Sequence, residues 1–261
     1  MSDDHLLLDR SEDIAWIVFN RPDKRNALSL DMWQRLPALI DEVEDDPAVR
    51  VVVLRGVDDR AFSAGADIAE FPTHRATEEG ARRSGEITEA AQARIAAMRK
   101  PSIAMVQGPC IGGACGIAVA CDFRFSDTSG TFGITPSTLG IVYTLAATKR
   151  LADLVGPAKA KYILFSGRKL DAAAAQGIGL VDDVFAPADL EARVVDFART
   201  LASRAQFSIR GTKRIVQLIT QGVAADNDES VRLNLESYAT EDFREGVQAF
   251  LDKRPANFTF S

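Results

Sequence analysis

The sequence has few of the residues that form metal sites or disulfide frameworks. It contains two histidines and three cysteines, Cys110, Cys115 and Cys121. The cysteines stand five and six positions apart, which matches neither a CxxC metal pair nor an even-numbered disulfide framework. No metal site is therefore expected, and the thiols are interpreted as small buried apolar side chains.

An excess of positive charge and long apolar runs are also missing. The sequence has 31 Lys and Arg but 37 Asp and Glu, which gives a formal net charge of −6. A nucleic-acid-binding surface, by contrast, usually shows a basic patch. No uncharged apolar run reaches the roughly 18 residues of a transmembrane helix. The first residues, MSDDHLLLDR, lack the basic and apolar regions of a secretory signal. We therefore predict a cytoplasmic protein with no nucleic-acid or membrane partner.

Strand and helix patterns alternate in the first half of the chain. Runs rich in β-branched residues at 14–20, 49–56 and 101–108 read as strands, and Ser29 is predicted to cap a helix that starts at Leu30. From about residue 143 helical segments follow one another, interrupted by the strand-like LVDDVF. With 46% hydrophobic residues the chain can bury a sizeable core. We predict an α/β core over residues 1–195 and a helical region over residues 196–261.

Two loops of small residues are candidate sites although they contain almost no ionisable groups. In AFSAGADI, residues 61–68, the small side chains after a strand leave backbone amides open to a ligand. In PCIGGACGIAVACD, Gly112 and Gly113 open a helix whose first amides have no internal partner. If the two loops converge they form an oxyanion hole. Close packing of a helix on a sheet is an equally weighted interpretation, and the nucleotide-binding signatures GxGxxG and GxxxxGK[ST] are absent.

Six segments in order resemble one known family. They are NRPDKRNAL, AFSAGADI, QGPCIGGACGIAVACDFRFSD, FGITPSTLGIV, KRLADLVGPAKAKYILFSGRKLDAAAAQGIGLVDDV and EDFREGVQAFLDKR. Together they are similar to the crotonase superfamily, the enoyl-CoA hydratase/isomerase family, from about residue 14 to residue 258. The resemblance implies an α/β fold with a spiral of ββα turns and a C-terminal helical trimerisation region. It also implies a homotrimer or a dimer of trimers.

The resemblance assigns roles to individual residues. It places the oxyanion donors on the backbone amides of Ala66 and Gly113, on the two loops described above. It implies no separate cofactor, since coenzyme A enters as part of an acyl-CoA substrate. Phe250 and Lys253 would reach that ligand from a neighbouring subunit. The full set of candidate substrate and coenzyme A contacts is Lys24, Arg25, Ala27, Ala64, Asp67, Ile68, Gly112, Leu139, Phe250 and Lys253.

Both positions that carry the hydratase glutamates in this family hold other residues, Gly116 and Ser137. Neither is a base at neutral pH, because a serine hydroxyl needs a base beside it. Tyr143 remains, and it matches a tyrosine of the methylmalonyl-CoA decarboxylase branch, although that branch carries a histidine where Ala66 stands. The candidate catalytic residues are therefore Ala66, Gly113, Tyr143 and Ser137.

The missing glutamates favour decarboxylation, or another enolate reaction assisted by Tyr143. Loss of carbon dioxide generates the enolate without a base, so the site has only to stabilise the developing charge. The alternatives are an enoyl-CoA hydratase or isomerase with an unidentified acid, and a non-catalytic acyl-CoA-binding subunit. Glu70, Glu86 and Glu89 are candidates for that acid, whereas Asp67 is predicted to cap a helix. Two further charged residues, Asp122 and Arg124, are predicted to pair with each other.

Overall fold

The computed structural model describes residues 5–259. Residues 1–4, which enter the argument about a secretory signal, lie outside the described residues, as do residues 260–261. The strands are β1 Leu6–Ser11, β2 Ile14–Phe19, β3 Val51–Gly56, β4 Ser102–Val106, β5 Pro109–Ile111, β6 Phe123–Asp127, β7 Thr131–Gly133, β8 Leu170–Asp171 and β9 Asp183–Phe185. The helices are α1 Leu30–Asp45, α2 Phe71–His74, α3 Glu78–Ala96, α4 Gly113–Ala120, α5 Leu145–Ser166, α6 Ala172–Gly177, α7 Leu190–Ala202, α8 Gln206–Thr220, α9 Asp228–Ser237 and α10 Glu241–Asp252. The mixed α/β architecture and the three strands predicted first are confirmed.

A six-stranded sheet in the order β1-β2-β3-β4-β6-β9 forms the centre of the fold. Its pairs are parallel except for the antiparallel pair β1 and β2. Strand β3 is apolar along most of its length, as expected for a parallel sheet covered on both faces. A smaller sheet has the order β5-β7-β8, and its first strand ends at Ile111, two residues before α4 begins at Gly113.

The two faces of the main sheet pack into separate apolar clusters. Val52 and Leu54 face helices α1, α3 and α4, whereas Val51 and Val53 face α7. This alternation follows from the two-residue period of a strand. Helix α7 contacts the sheet along its whole length, from Leu190 to Ala202. The predicted division at residue 195 falls inside this helix.

Local capping signals set several helix boundaries. Ser29 accepts a hydrogen bond from the Met32 amide at 3.3 Å and caps α1, as predicted. Asp67 caps the short 3₁₀ turn Ile68–Glu70, also as predicted. Thr240 caps α10 by accepting from the Phe243 amide, and this cap marks where α10 begins after the end of α9.

The predicted pairing of Asp122 with Arg124 is wrong for the two charged groups, although Arg124 does donate to the backbone carbonyl of Asp122 at 3.3 Å. Arg124 pairs instead with Asp182, at 2.9 Å, while Asp122 accepts from Lys213 at 2.6 Å. Both partners belong to later parts of the chain that pack against this strand, so the sequence neighbourhood does not show them. Within residues 5–259, none of the helices combines the length and apolar character needed to cross a membrane.

Candidate active site

A cavity of about 350 Å³ lies between the two glycine loops, helix α3 and the start of α5. Its walls are mainly apolar and include Trp33, Phe71, Ile134 and Val142. A larger hollow of about 820 Å³ lies between α3, α5 and α8 and contains no residue of either glycine loop. The smaller cavity is therefore the one that the loops can serve.

The first loop leaves one backbone amide free. The amide of Ala64 donates to the carbonyl of Arg25, and the amide of Asp67 donates to the carbonyl of Leu28, both at 2.9 Å. The Ala66 amide between them finds no acceptor in the described part of the chain. Ala66 lines the cavity, so this donor is available to a ligand.

The second free amide belongs to Gly113, the first residue of α4. Gly112 before it has a φ of 58°, and its own amide donates to the carbonyl of Gly133 at 2.7 Å. The Gly113 amide has no acceptor among residues 5–259, and it lies at the positive end of the helix dipole. Gly113 also lines the cavity. The two loops predicted to converge therefore present two unpaired donors to one space.

Gly65 determines how closely the loops approach. Its φ is +94°, and a Cβ there would stand 2.5 Å from the carbonyl oxygen of Ile111 and 3.6 Å from the Gly113 nitrogen. A residue with a side chain would have to push the loops apart. Glycine is thus required by both the backbone conformation and the contact.

A buried carboxylate holds the first loop from behind. Asp67 accepts from Arg21 at 3.1 Å, from Lys24 at 3.0 Å and from the Ala69 amide at 3.2 Å. Burial by itself would raise the pKa of Asp67, but the hydrogen bonds from Lys24 and Arg21 outweigh it and hold the pKa below its ordinary value. Asp67 therefore remains a carboxylate that orders the loop.

The other sequence-predicted residues divide into three groups. Ala64, Ile68, Gly112, Leu139 and Tyr143 line the cavity with Ala66 and Gly113. Lys24, Arg25, Ala27 and Asp67 lie in or behind the first loop and do not line it. Ser137 is exposed on the 3₁₀ turn Pro136–Leu139 and is not part of the cavity wall. Phe250 lines a separate hollow beside α10. Lys253 is the residue that caps the C-terminus of α10.

Tyr143 is one of the residues that line the cavity. Its hydroxyl is buried and has no hydrogen-bond partner within residues 5–259. Burial raises the pKa of Tyr143 well above its ordinary value of 10.0. The group therefore stays protonated at neutral pH, so it can donate a hydrogen bond but cannot act as a base.

The cavity does contain a carboxylate, that of Glu89 on α3. Among the described residues that line the cavity it is the single acidic side chain. Arg150 of α5 donates to both of its oxygens, each at 2.8 Å, and to the Gln92 Oε1 at 3.2 Å. The other two candidates are engaged elsewhere: Glu70 accepts from the Leu30 amide, and Glu86 pairs with Arg82 on the surface.

Gln92 explains why helix α4 carries a glycine at position 116. A Cβ on Gly116 would stand 2.7 Å from the Gln92 Nε2 and 2.9 Å from its Oε1. The buried carboxamide of Gln92 thus occupies the space into which a side chain at position 116 would point. Gln92 was not singled out from the sequence, although the three-residue spacing of Glu89 and Gln92 could have placed both on one face of α3. Their partners on α4 and α5 were not visible from that spacing.

Similarity to known proteins extends over nearly the whole chain. The family profile described as enoyl-CoA hydratase/isomerase matches residues 9–260. A crotonyl-CoA hydratase from Syntrophomonas wolfei is 36% identical over 262 residues, which cover 99% of each protein. A short-chain-enoyl-CoA hydratase from Clostridium acetobutylicum is 32% identical over 254 residues, covering 96% of this chain and 95% of the relative. A crystal structure from Hyphomonas neptunium, described as an enoyl-CoA hydratase/isomerase family protein, matches with a TM-score of 0.95 and 41% identity over 98% of each chain.

Proposed function

The chain belongs to the enoyl-CoA hydratase/isomerase family, and we propose that it adds water to the double bond of a 2-enoyl-CoA thioester in the cavity beside the glycine loops. The resemblance seen in the motifs is thereby confirmed for the family and for the crotonase fold. Members of this family act on acyl-CoA substrates. The names of the two relatives support hydration, and neither relative is named for the decarboxylation that the missing glutamates favoured.

The proposal rests on one observation: the backbone amides of Ala66 and Gly113 both lack a hydrogen-bond acceptor among the described residues, and both residues line the cavity. When water attacks a 2-enoyl thioester, negative charge develops on the thioester oxygen. Two fixed N–H donors stabilise that charge without having to reorganise, and removing one such donor typically costs about 3 kcal/mol of activation free energy. The same amides would serve any reaction that passes through a thioester enolate.

The cavity suits a short apolar acyl group. About 350 Å³ is near the lower end of the range for small-molecule sites, roughly 300–1,000 Å³. The apolar side chains of Trp33, Ile134 and Val142 line it and provide an apolar surface for the acyl chain. A four-carbon 2-enoyl group is the substrate class that we expect to be turned over fastest.

Decarboxylation of a malonyl-type thioester is the second candidate, and the unpartnered phenol of Tyr143 favours it. A protonated phenol beside the acyl group can orient a carboxylate by donating a hydrogen bond. In that reaction Tyr143→Phe is expected to slow the release of carbon dioxide. An unchanged rate would remove Tyr143 from the mechanism.

A substrate panel tests these proposals. The purified protein is assayed with crotonyl-CoA for loss of the enoyl thioester absorbance, and with methylmalonyl-CoA and ethylmalonyl-CoA for release of carbon dioxide. Hydration is expected to be the faster reaction. Decarboxylation without hydration would favour the second candidate, and binding of all three thioesters without turnover would show a non-catalytic acyl-CoA-binding protein.

A further inference from the structure

We propose that Glu89 is the acid–base residue of this cavity and that Arg150 positions its carboxylate. The inference rests on the proposed function, because it names the group that moves the proton during hydration. The two positions at which the motif resemblance would place glutamates are Gly116 and Ser137, and neither has a carboxylate. A single carboxylate from a different helix takes over their chemistry.

Glu89 has the required access. Its side chain is 28% exposed, and Glu89 lines the same cavity as Ala66 and Gly113, which carry the free amides. Asp67 lies behind the first loop in its own network of hydrogen bonds. No other carboxylate within residues 5–259 reaches the wall of this cavity.

Arg150 holds the Glu89 carboxylate in one orientation. Its two Nη atoms each donate to a different carboxylate oxygen at 2.8 Å, the two-pronged geometry in which an arginine is most directional. Each carboxylate oxygen still has a lone pair for a hydrogen of water. Arg150 also lines the larger hollow behind α3, so the ion pair forms part of the wall between the two spaces.

Gln92 supplies a second polar group at the same wall. Its Oε1 accepts from Arg150 at 3.2 Å, and its Nε2 hydrogens have no acceptor in the described part of the chain. An amide N–H of this kind can hold the oxygen of a water molecule whose hydrogen is held by Glu89. Because Gln92 fills the space beside Gly116, a glutamate at position 116 is incompatible with the observed position of Gln92.

The proton balance of the reaction closes with this one carboxylate. The water oxygen forms a bond to C3 of the enoyl group while one of its protons passes to the Glu89 carboxylate. The electron pair of the C2–C3 double bond moves toward the thioester oxygen, where the amides of Ala66 and Gly113 stabilise the enolate. The protonated Glu89 then delivers its proton to C2. One water has been added, and Glu89 is again a carboxylate paired with Arg150.

Glu89→Gln tests the proposal, because glutamine keeps the shape of the side chain and cannot accept the proton. The kcat for crotonyl-CoA hydration is expected to fall at least about 100-fold, the usual contribution of a general acid–base group, with KM changed less than about threefold. Glu86→Gln is the matched control, since Glu86 lies one turn earlier on α3 and pairs with Arg82 at the surface. Equal rates in the Glu89→Gln variant and this control would overturn the proposal.

Exchange of the C2 hydrogens of butyryl-CoA in deuterated water separates this inference from the proposed function. This reaction needs enolate formation and a base but no double bond. Exchange by the wild type that is lost in Glu89→Gln supports the inference even if crotonyl-CoA is not hydrated. A wild type that neither hydrates nor exchanges, or a Glu89→Gln variant that exchanges normally, contradicts it.

Arg150 is tested by a pair of variants. Arg150→Met is expected to lower the kcat of hydration by about the same factor as Glu89→Gln while thermal unfolding shows a folded protein. Arg150→Lys retains one charged donor and is expected to recover part of the kcat, with KM unchanged in both variants. A loss confined to KM would show that Arg150 does not position Glu89.

Discussion

At the scale of single residues, two glycines bring the backbone donors together. Gly65 lets the first loop approach Ile111 within a distance that no side chain would allow. Gly113 begins α4 with an amide that the helix itself cannot use. The proposed stabilisation of the enolate therefore comes from main-chain amides, and it depends on glycines because they carry no side chain.

The contribution of the Gly113 amide can be isolated by comparing proline with alanine at position 113. Proline is tolerated at the first position of a helix, where the N–H has no intrahelical partner. Gly113→Pro is expected to lower kcat roughly 100-fold relative to Gly113→Ala. The alanine variant is the control, because it places a similar Cβ against Trp33, 2.9 Å away, and retains the N–H. Steady-state hydration of crotonyl-CoA measures both, and equal rates would exclude the Gly113 amide as a donor.

At the scale of elements, helices α3 and α4 share one volume that only one of them can fill. Gln92 of α3 occupies the side-chain space of Gly116 on α4. Glycine within a helix lowers helix stability by about 1 kcal/mol relative to alanine. Helix α4 is therefore less stable by itself, and the buried Gln92 carboxamide occupies the space that a side chain would have filled. The consequence is a coupling between two positions that lie on different helices.

A double-mutant cycle measures that coupling. Gly116→Ala is expected to lower the free energy of unfolding in the wild type, because the new methyl group meets the Gln92 carboxamide. In a Gln92→Ala background the same change is expected to raise it by up to about 1 kcal/mol, since only the gain in helix propensity remains. Urea unfolding of the four proteins gives the coupling free energy. The same effect of Gly116→Ala in both backgrounds would show that the two side-chain spaces are separate.

Lys100 joins the end of α1 to the start of β4 and makes that connection sensitive to pH. It is 3% exposed, and its Nζ donates to the carbonyl oxygens of Val43 and Asp46, both at 2.6 Å. Burial, followed by the positive charge of Arg210, lowers the pKa of Lys100 from 10.5 to about 8. Between these two values the folded protein binds fewer protons than the unfolded chain.

The stability contributed by Lys100 is therefore expected to rise as the pH increases through this window, and to be lost as the pH falls below about 8. Lys100→Met does not titrate and serves as the reference. Urea unfolding of both proteins at about pH 7, 9 and 10 gives the difference in their free energies of unfolding. We expect this difference to shift in favour of the wild type with increasing pH. A difference independent of pH would refute the assignment.

At the scale of the whole molecule, large apolar side chains remain uncovered in a single copy of the chain. Val142 is 93% exposed, Leu145 is 86% exposed and Phe250 is 83% exposed. Exposed apolar groups of this size indicate an association surface when they form a patch. Phe250 and Lys253 stand apart from the cavity of their own chain, so we propose that α10 of one copy reaches the cavity entrance of another.

Subunit complementation tests this arrangement. Gly113→Pro removes a donor from the cavity, and the double variant Phe250→Ala/Lys253→Ala removes the contacts of α10. Each variant by itself is expected to be impaired. Mixed assemblies are expected to regain activity, since about a quarter of their sites would combine an intact cavity with an intact α10 from a neighbour. Activity no higher than the mean of the separate variants would show that α10 does not act between subunits.

Much of the architecture followed from local patterns. The apolar runs at 14–20, 49–56 and 101–108 predicted β2, β3 and β4, and Ser29 marked the start of α1. These features depend on side-chain periodicity and capping within a few residues. Pairings between distant segments could not be read in this way. The predicted ion pair between the Asp122 and Arg124 side chains failed because their charged partners, Lys213 and Asp182, lie 91 and 58 positions away.

The sequence by itself determined the family, the α/β class and the two loops of small residues, because motifs and glycine positions are local properties of the chain. Only the tertiary structure decided which acid faces the cavity. Glu89 and Glu86 are both glutamates on the same helical segment, and nothing in the neighbouring sequence distinguishes them. The packing of α3 against α5 brings Arg150, 61 positions away, into contact with both carboxylate oxygens of Glu89. Burial and long-range contact, which select one carboxylate from several, arise when the helices pack.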